Sequence, residues 1–131
     1  MINTLLVMAG GAIGAALRYQ YGRMSERVFG AGWPWGTLGV NIIGGLAMGL
    51  FVGWLAARSQ ASTYLSGESL RLFVAVGILG GFTTFSAFSL ETIAMIQRGE
   101  GLSASLYVIV SVIASVGALA LGLGFMRTVS A

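Results

Sequence analysis

Between Gly80 and Glu91 the chain reads Gly-Gly-Phe-Thr-Thr-Phe-Ser-Ala-Phe-Ser-Leu-Glu, which puts four hydroxyls, a carboxylate and three phenyl rings into otherwise apolar sequence. Phe82, Phe85 and Phe88 recur every three residues, a spacing that predicts one helix side for the rings and an adjacent strip for Ser86 and Ser89. Phenyl rings on a helix ordinarily meet lipid or a core. Interleaved with hydroxyls they can do something else, because a ring edge carries positive partial charge and can face an anion. Gly77, Gly80, Gly81 and the Thr83–Thr84 pair are poor choices for a regular helix interior, so a break is expected near Gly80–Thr84. A break frees backbone carbonyls, and these can hold a hard monovalent cation without acidic side chains. Glu91 has two readings: an interfacial residue paired with Arg98, or the mouth of the same polar path.

Two further places carry polar side chains in apolar surroundings. Asn41 either makes an interhelical hydrogen bond or faces a polar path. Ser103, Tyr107, Ser111 and Ser115 recur every four residues and form one hydroxyl track. A single serine in such a helix usually bonds back to its own preceding turn. Four hydroxyls in register point instead to a polar pathway or a helix-contact seam.

The elements that must position these groups are membrane helices. Of the 131 residues 56% are hydrophobic and 8% charged, with a mean hydropathy of +0.90, which excludes an ordinary water-soluble domain. Four uncharged stretches, residues 1–17, 28–57, 72–90 and 101–126, each approach or exceed the length that crosses a hydrocarbon core of about 30 Å. The reading is an all-α integral membrane protein, a single domain over 1–131 with helices at about 2–22, 36–57, 70–98 and 102–127. The first stretch lacks a basic leader and a cleavage site, so it is read as a retained helix. Trp33 and Trp35 around the only proline suit a headgroup-level return into the membrane.

With no cysteine and no histidine, disulfides, thiol chemistry and the commonest general base are absent, and an enzyme is not expected. The net charge of +3 comes from seven arginines and four glutamates lying mainly at helix ends, not on the single basic face that nucleic-acid binding needs. Four spans put Arg58, Arg71 and Arg127 on one side and Arg18, Arg23, Arg27 and Arg98 on the other. That near-even division leaves almost no preferred orientation. Either a folding or lipid factor breaks the tie, or the chain inserts both ways, in which case it assembles naturally as an antiparallel dual-topology homodimer. Gly10 and Gly14, Gly45, Gly49 and Gly53, and Ala114, Ala118 and Gly122 form stripes that let helix backbones approach closely.

Three strings carry a resemblance: GGAIGAALRY at 10–19, PWGTLGVNIIGG at 34–45, and above all GGFTTFSAFSLE at 80–91. Through them the chain resembles the Fluc (CrcB) family of bacterial fluoride channels over essentially its whole length. The resemblance implies an antiparallel homodimer in the bacterial cytoplasmic (inner) membrane, with two fluoride pathways and one central structural Na⁺. It carries the pore aromatics onto Phe85 and Phe88 and the pore asparagine onto Asn41. The polar track falls on Ser86 and Ser89, with Thr84 beside it and Glu91 at its far end, and the fourth helix contributes Tyr107, Ser111 and Ser115. Gly80 and Thr83 become the Na⁺ ligands through their backbone carbonyls, and Arg18 lies near the aqueous vestibule. Ala87 stands where the family's motif most often has a threonine, so one track hydroxyl is missing.

The implied activity is passive, fluoride-selective export driven by an inside-negative potential. A small dual-topology multidrug exporter is the leading rival, but it needs a carboxylate embedded in its first helix, and this first helix has none. A structural subunit that packs without conducting is the other rival.

Overall fold

A computed structural model describes residues 1–58 and 64–129. Part of the Ser-rich second connection, residues 59–63, lies outside the described residues. Among those described there is no strand, and four helical segments are long and apolar enough to cross a membrane: Ile2–Phe29, Trp35–Arg58, Gly67–Gln97 and Gly101–Val129.

Helix α1 (Ile2–Phe29) continues past residue 22, where the sequence places its end. Gly22 is tolerated inside a helix at about 1 kcal/mol, and the residues that follow it, Arg23, Met24, Glu26 and Arg27, are good helix formers. Termination comes at Gly30, whose φ of 78° is the left-handed conformation glycine favours and whose N–H donates back to the Glu26 carbonyl at 2.9 Å. Helix α2 (Trp35–Arg58) begins directly after Pro34, whose carbonyl accepts from the Leu38 N–H at 3.1 Å.

The third span is not one helix. Helix α3 (Tyr64–Leu70) passes into a π-helical stretch, Arg71–Leu79, with the Gly80 N–H reaching back five residues to the Ala75 carbonyl. One further turn, α4 (Gly80–Phe82), leads to Thr83 and Thr84, whose backbones are extended with ψ of 159° and 120°. Helix α5 (Phe85–Gln97) then starts on Thr84, whose Oγ1 accepts from the Ala87 N–H at 3.2 Å. The break falls inside the expected interval, at its C-terminal end. Because it lies between Phe82 and Phe85, it divides the three rings that uninterrupted spacing places on one side. Phe82 turns to Tyr21 of α1, edge to face at 6.4 Å, while Phe85 and Phe88 stay together at 5.4 Å.

Helix α6 (Gly101–Val129) follows a turn at Arg98–Glu100 in which Gly99 has φ 79°. Helix α2 packs along α6, and α1 packs along the third span. Both contacts are backbone to backbone. A Cβ on Gly122 would lie 2.6 Å from the Leu46 carbonyl oxygen, and one on Gly77 would lie 2.8 Å from Gly10 Cα, distances no side chain occupies. Gly45 and Gly49 meet Ser115 and Leu119 of α6 in the same way, and Gly14 meets Gly81 and Phe82 of α4. Helix association in lipid rests on such close packing, since hydrophobicity does not distinguish lipid from protein. Leu38, Met95, Ala104 and Tyr107 form a small buried cluster, with Trp33, Ile42 and Phe88 packed against it. This core joins the two halves of the site.

Candidate functional site

Asn41 sits on α2 opposite the break and hydrogen-bonds both backbone groups of Thr84. Its Oδ1 accepts from the Thr84 N–H at 2.8 Å, and its Nδ2 donates to the Thr84 carbonyl at 3.0 Å. In an unbroken helix the Thr84 N–H would go to the Gly80 carbonyl. Likewise the Ala87 N–H, which would go to the Thr83 carbonyl, is taken by Thr84 Oγ1. The break thus leaves the carbonyls of residues 80–83 without their helical donors, and the two that the resemblance assigns to Na⁺, those of Gly80 and Thr83, are among them. Arg18 Nη1 donates to the Thr83 carbonyl at 3.2 Å, which occupies one of that oxygen's two lone pairs. The freed oxygens suit a hard monovalent cation. The Gly80 and Thr83 carbonyls alone are too few for a full coordination shell.

On one side of the break, a groove of about 420 Å³ is lined by Asn41, Thr83, Thr84, Phe85, Phe88, Ser111 and Ser115, with Gly44, Gly45 and Met48 of α2. The hydroxyl oxygens of Ser111 and Ser115 are buried and form no hydrogen bond among the described residues, Ser111 lying beside the Tyr107 hydroxyl, so the back-bonding expected of lone serines does not occur here. Phe85 is 78% exposed, so one wall of the groove is open. Ser86 is exposed and shares a hydrogen bond with Thr84 Oγ1 at 3.2 Å. Ser89 does bond back, donating to the Phe85 carbonyl at 2.9 Å, and so its proton is already committed.

On the other side lies a vestibule of about 470 Å³ whose walls include Arg18, Ser25, Thr37, Thr84, Glu91 and Arg98. Thr84 lines both spaces. Glu91 does not pair with Arg98, which forms an exposed ion pair with Glu100 at 2.8 Å. The Arg98 hydrogen bond holds the Glu100 carboxyl below the ordinary carboxylate range. Glu91 instead accepts from Thr37 Oγ1 at 2.6 Å and from the Tyr107 hydroxyl at 2.7 Å. Both bonds are in the short range of hydroxyl donors to an ionised acceptor.

Aromatic contacts run through this junction. Trp33 meets Tyr107 edge to face at 5.4 Å, Tyr107 meets Phe88 at 5.3 Å, and Phe88 meets Phe85 at 5.4 Å. Thr37 and Trp33 were not legible as site residues, Trp33 being read as a headgroup anchor. Thr37 did leave a signal, since it lies four residues before Asn41 and therefore on the same face of α2.

The profile of the CrcB-like protein, Camphor Resistance (CrcB), matches residues 5–123, most of the chain and all of the groove and vestibule residues. The chain belongs to the CrcB family. Among relatives, a protein of Hyphomonas neptunium (strain ATCC 15444) is 53% identical over 131 residues, covering 100% of both chains. One of Novosphingobium aromaticivorans is 50% identical over 132 residues, with 99% of this chain and 100% of that one covered. One of Caulobacter sp. (strain K31) is 48% identical over 129 residues, with 98% of each covered. All three are named "Fluoride-specific ion channel FluC", a channel and not an enzyme. CrcB membership and four membrane-crossing helices make this a multi-pass membrane protein.

Proposed function

We propose that this CrcB protein is a passive, fluoride-selective channel of the bacterial cytoplasmic membrane that exports fluoride and protects the cell from it. The observation that carries the reading is the groove. It gathers two phenyl rings, an asparagine amide and two serine hydroxyls that form no hydrogen bond among the described residues along one side of a broken helix. The names of the full-length relatives agree with it.

Fluoride is small, strongly hydrated and a strong hydrogen-bond acceptor, so a pore must exchange its water for closely spaced donors. Ser111 and Ser115 have hydroxyl protons to give, and Asn41 keeps a second amide proton beyond the one spent on Thr84. The edges of Phe85 and Phe88 add weaker positive charge. None of these groups is a fixed cation, and conduction needs sites that bind an ion without trapping it. Arg18 in the vestibule raises the local anion concentration by a modest, salt-screened amount.

The open wall of the groove supports a second copy of the chain as its other half, since Phe85 would otherwise face lipid beside hydroxyls and freed carbonyls. An antiparallel homodimer with two pores accounts for this opening and for the near-even arginine distribution. In such a dimer Gly80 and Thr83 of both copies would hold one structural Na⁺ through their carbonyls, tying the two broken helices together. Its contribution there is to assembly.

The test is ion efflux from liposomes loaded with fluoride or chloride and started with valinomycin. Rapid fluoride release with negligible chloride, lost in Phe85→Ile or Phe88→Ile, is the expected result. Fluoride retention by well-folded protein would overturn the proposal.

A further inference from the structure

The Thr37–Glu91–Tyr107 cluster has a feature that a simple row of pore donors does not explain. A hydroxyl has one proton to donate. Those of Thr37 and Tyr107 are both spent, on opposite oxygens of the same carboxylate, at 2.6 and 2.7 Å. While these bonds stand, neither group can give a proton to a passing anion. Tyr107 is fully buried between Trp33 and Phe88, so its ring cannot swing away to present the hydroxyl elsewhere. Glu91, by contrast, is only partly buried and lines the vestibule, so its longer side chain has open space to turn into.

We infer that the Glu91 carboxylate is a resident anion. It occupies the two-hydroxyl donor site between groove and vestibule, and it yields that site to the permeating anion. The inference rests on the fluoride reading of the same pathway. An arriving fluoride and the carboxylate are both small, negative, acceptor-only groups competing for the same two protons. When fluoride accepts the Tyr107 and Thr37 hydrogen bonds, the carboxylate turns into the vestibule, where the Arg18 guanidinium is the positive group not already engaged by a carboxylate and Glu26 is a further negative one. When fluoride leaves, the carboxylate returns and the hydroxyls are never left unpaired. No bond is broken and no proton is transferred. The exchange also explains how a carboxylate can lie in the path of an anion without blocking it. The resident charge keeps the donor site from binding fluoride tightly, which favours release over trapping.

The experiment is fluoride conductance in planar bilayers as a function of fluoride concentration, with wild type and three variants. In Glu91→Gln the competing charge is gone while the shape is kept, so the half-saturating fluoride concentration should fall about tenfold, the scale of one charge-assisted hydrogen bond. Adding Tyr107→Phe to Glu91→Gln removes the donor gained and should return half-saturation towards the wild-type value. If Glu91→Gln does not give a monodisperse dimer, Glu91→Asp serves instead. Its shorter stem cannot span both hydroxyls, so it should also lower half-saturation. A half-saturating concentration unchanged or raised in a folded Glu91 variant would overturn the inference. Wild-type protein that passes no fluoride at all would instead overturn the channel reading on which it rests.

Discussion

The Asn41 clamp offers the most direct test of how the break is held. Replacing Asn41 by Leu keeps the volume and removes two hydrogen bonds to Thr84. Thr84 is only 9% exposed, so its N–H is left without water. An orphaned buried donor costs about 1–3 kcal/mol. Interhelical bonds in membranes average about 0.6 kcal/mol and reach about 1.7. Together these give a loss of about 2 kcal/mol. Asn41→Asp separates the two bonds, because a carboxylate still accepts from the Thr84 N–H but meets the Thr84 carbonyl with like charge. It should be at least as destabilising at neutral pH. Thermal unfolding in detergent gives the stability change, and hydrogen exchange at the Thr84 amide locates it, with protection expected to drop in the Leu variant. If Asn41→Leu unfolds like wild type and leaves Thr84 exchange unchanged, the clamp does not hold the break, and the argument that it frees the Gly80 carbonyl fails with it.

Three other outcomes follow from the geometry. Gly122→Val should disrupt the α2–α6 contact, since even the first side-chain atom would lie 2.6 Å from the Leu46 carbonyl oxygen, and overpacking of this kind costs about 1–3 kcal/mol or more; loss of a monodisperse species on size exclusion checks it. Ser111→Ala removes a hydroxyl that forms no hydrogen bond among the described residues, so it should leave stability intact while lowering fluoride efflux about tenfold, a result that separates an ion-facing hydroxyl from a structural one. The Arg98–Glu100 pair gives the sign of one pH effect. With the folded carboxyl depressed, the pair's contribution is present above the ordinary carboxylate range and is lost as pH falls through the depressed value. Because both side chains are exposed, the unfolding midpoint of Glu100→Gln should track that of wild type closely at every pH.

The membrane helices and the break were legible because they follow from local chemistry: uncharged runs of sufficient length, and glycines with β-branched residues inside one of them. The position of the break was less so. Thr83–Thr84 is selected over Gly80–Gly81 by Asn41, which lies 43 residues away in the chain. The π-helical stretch at Arg71–Leu79 left no pattern, since a five-residue hydrogen-bond register is settled by packing against α1 and not by side-chain type. Once the chain breaks, spacing arguments that cross it fail, which is why Phe82 faces Tyr21 and not the groove. Glu91 could not be assigned from sequence because both readings put it near an interface. Its real partners, Thr37 and Tyr107, come from two other helices.

The length of α6 has a consequence for the surrounding lipid. Its uncharged run from residue 101 to 126 would measure about 39 Å at 1.5 Å per residue, against a hydrocarbon thickness of about 30 Å. Something must absorb the excess, either by inclining the helix or by stretching the acyl chains beside it. Helix α2 is locked to α6 through glycine contacts, so the two would incline together, carrying Asn41 and the serine track with them. Bilayer thickness then becomes a mechanical input to the groove, and activity should vary when the protein is reconstituted in lipids of increasing acyl-chain length.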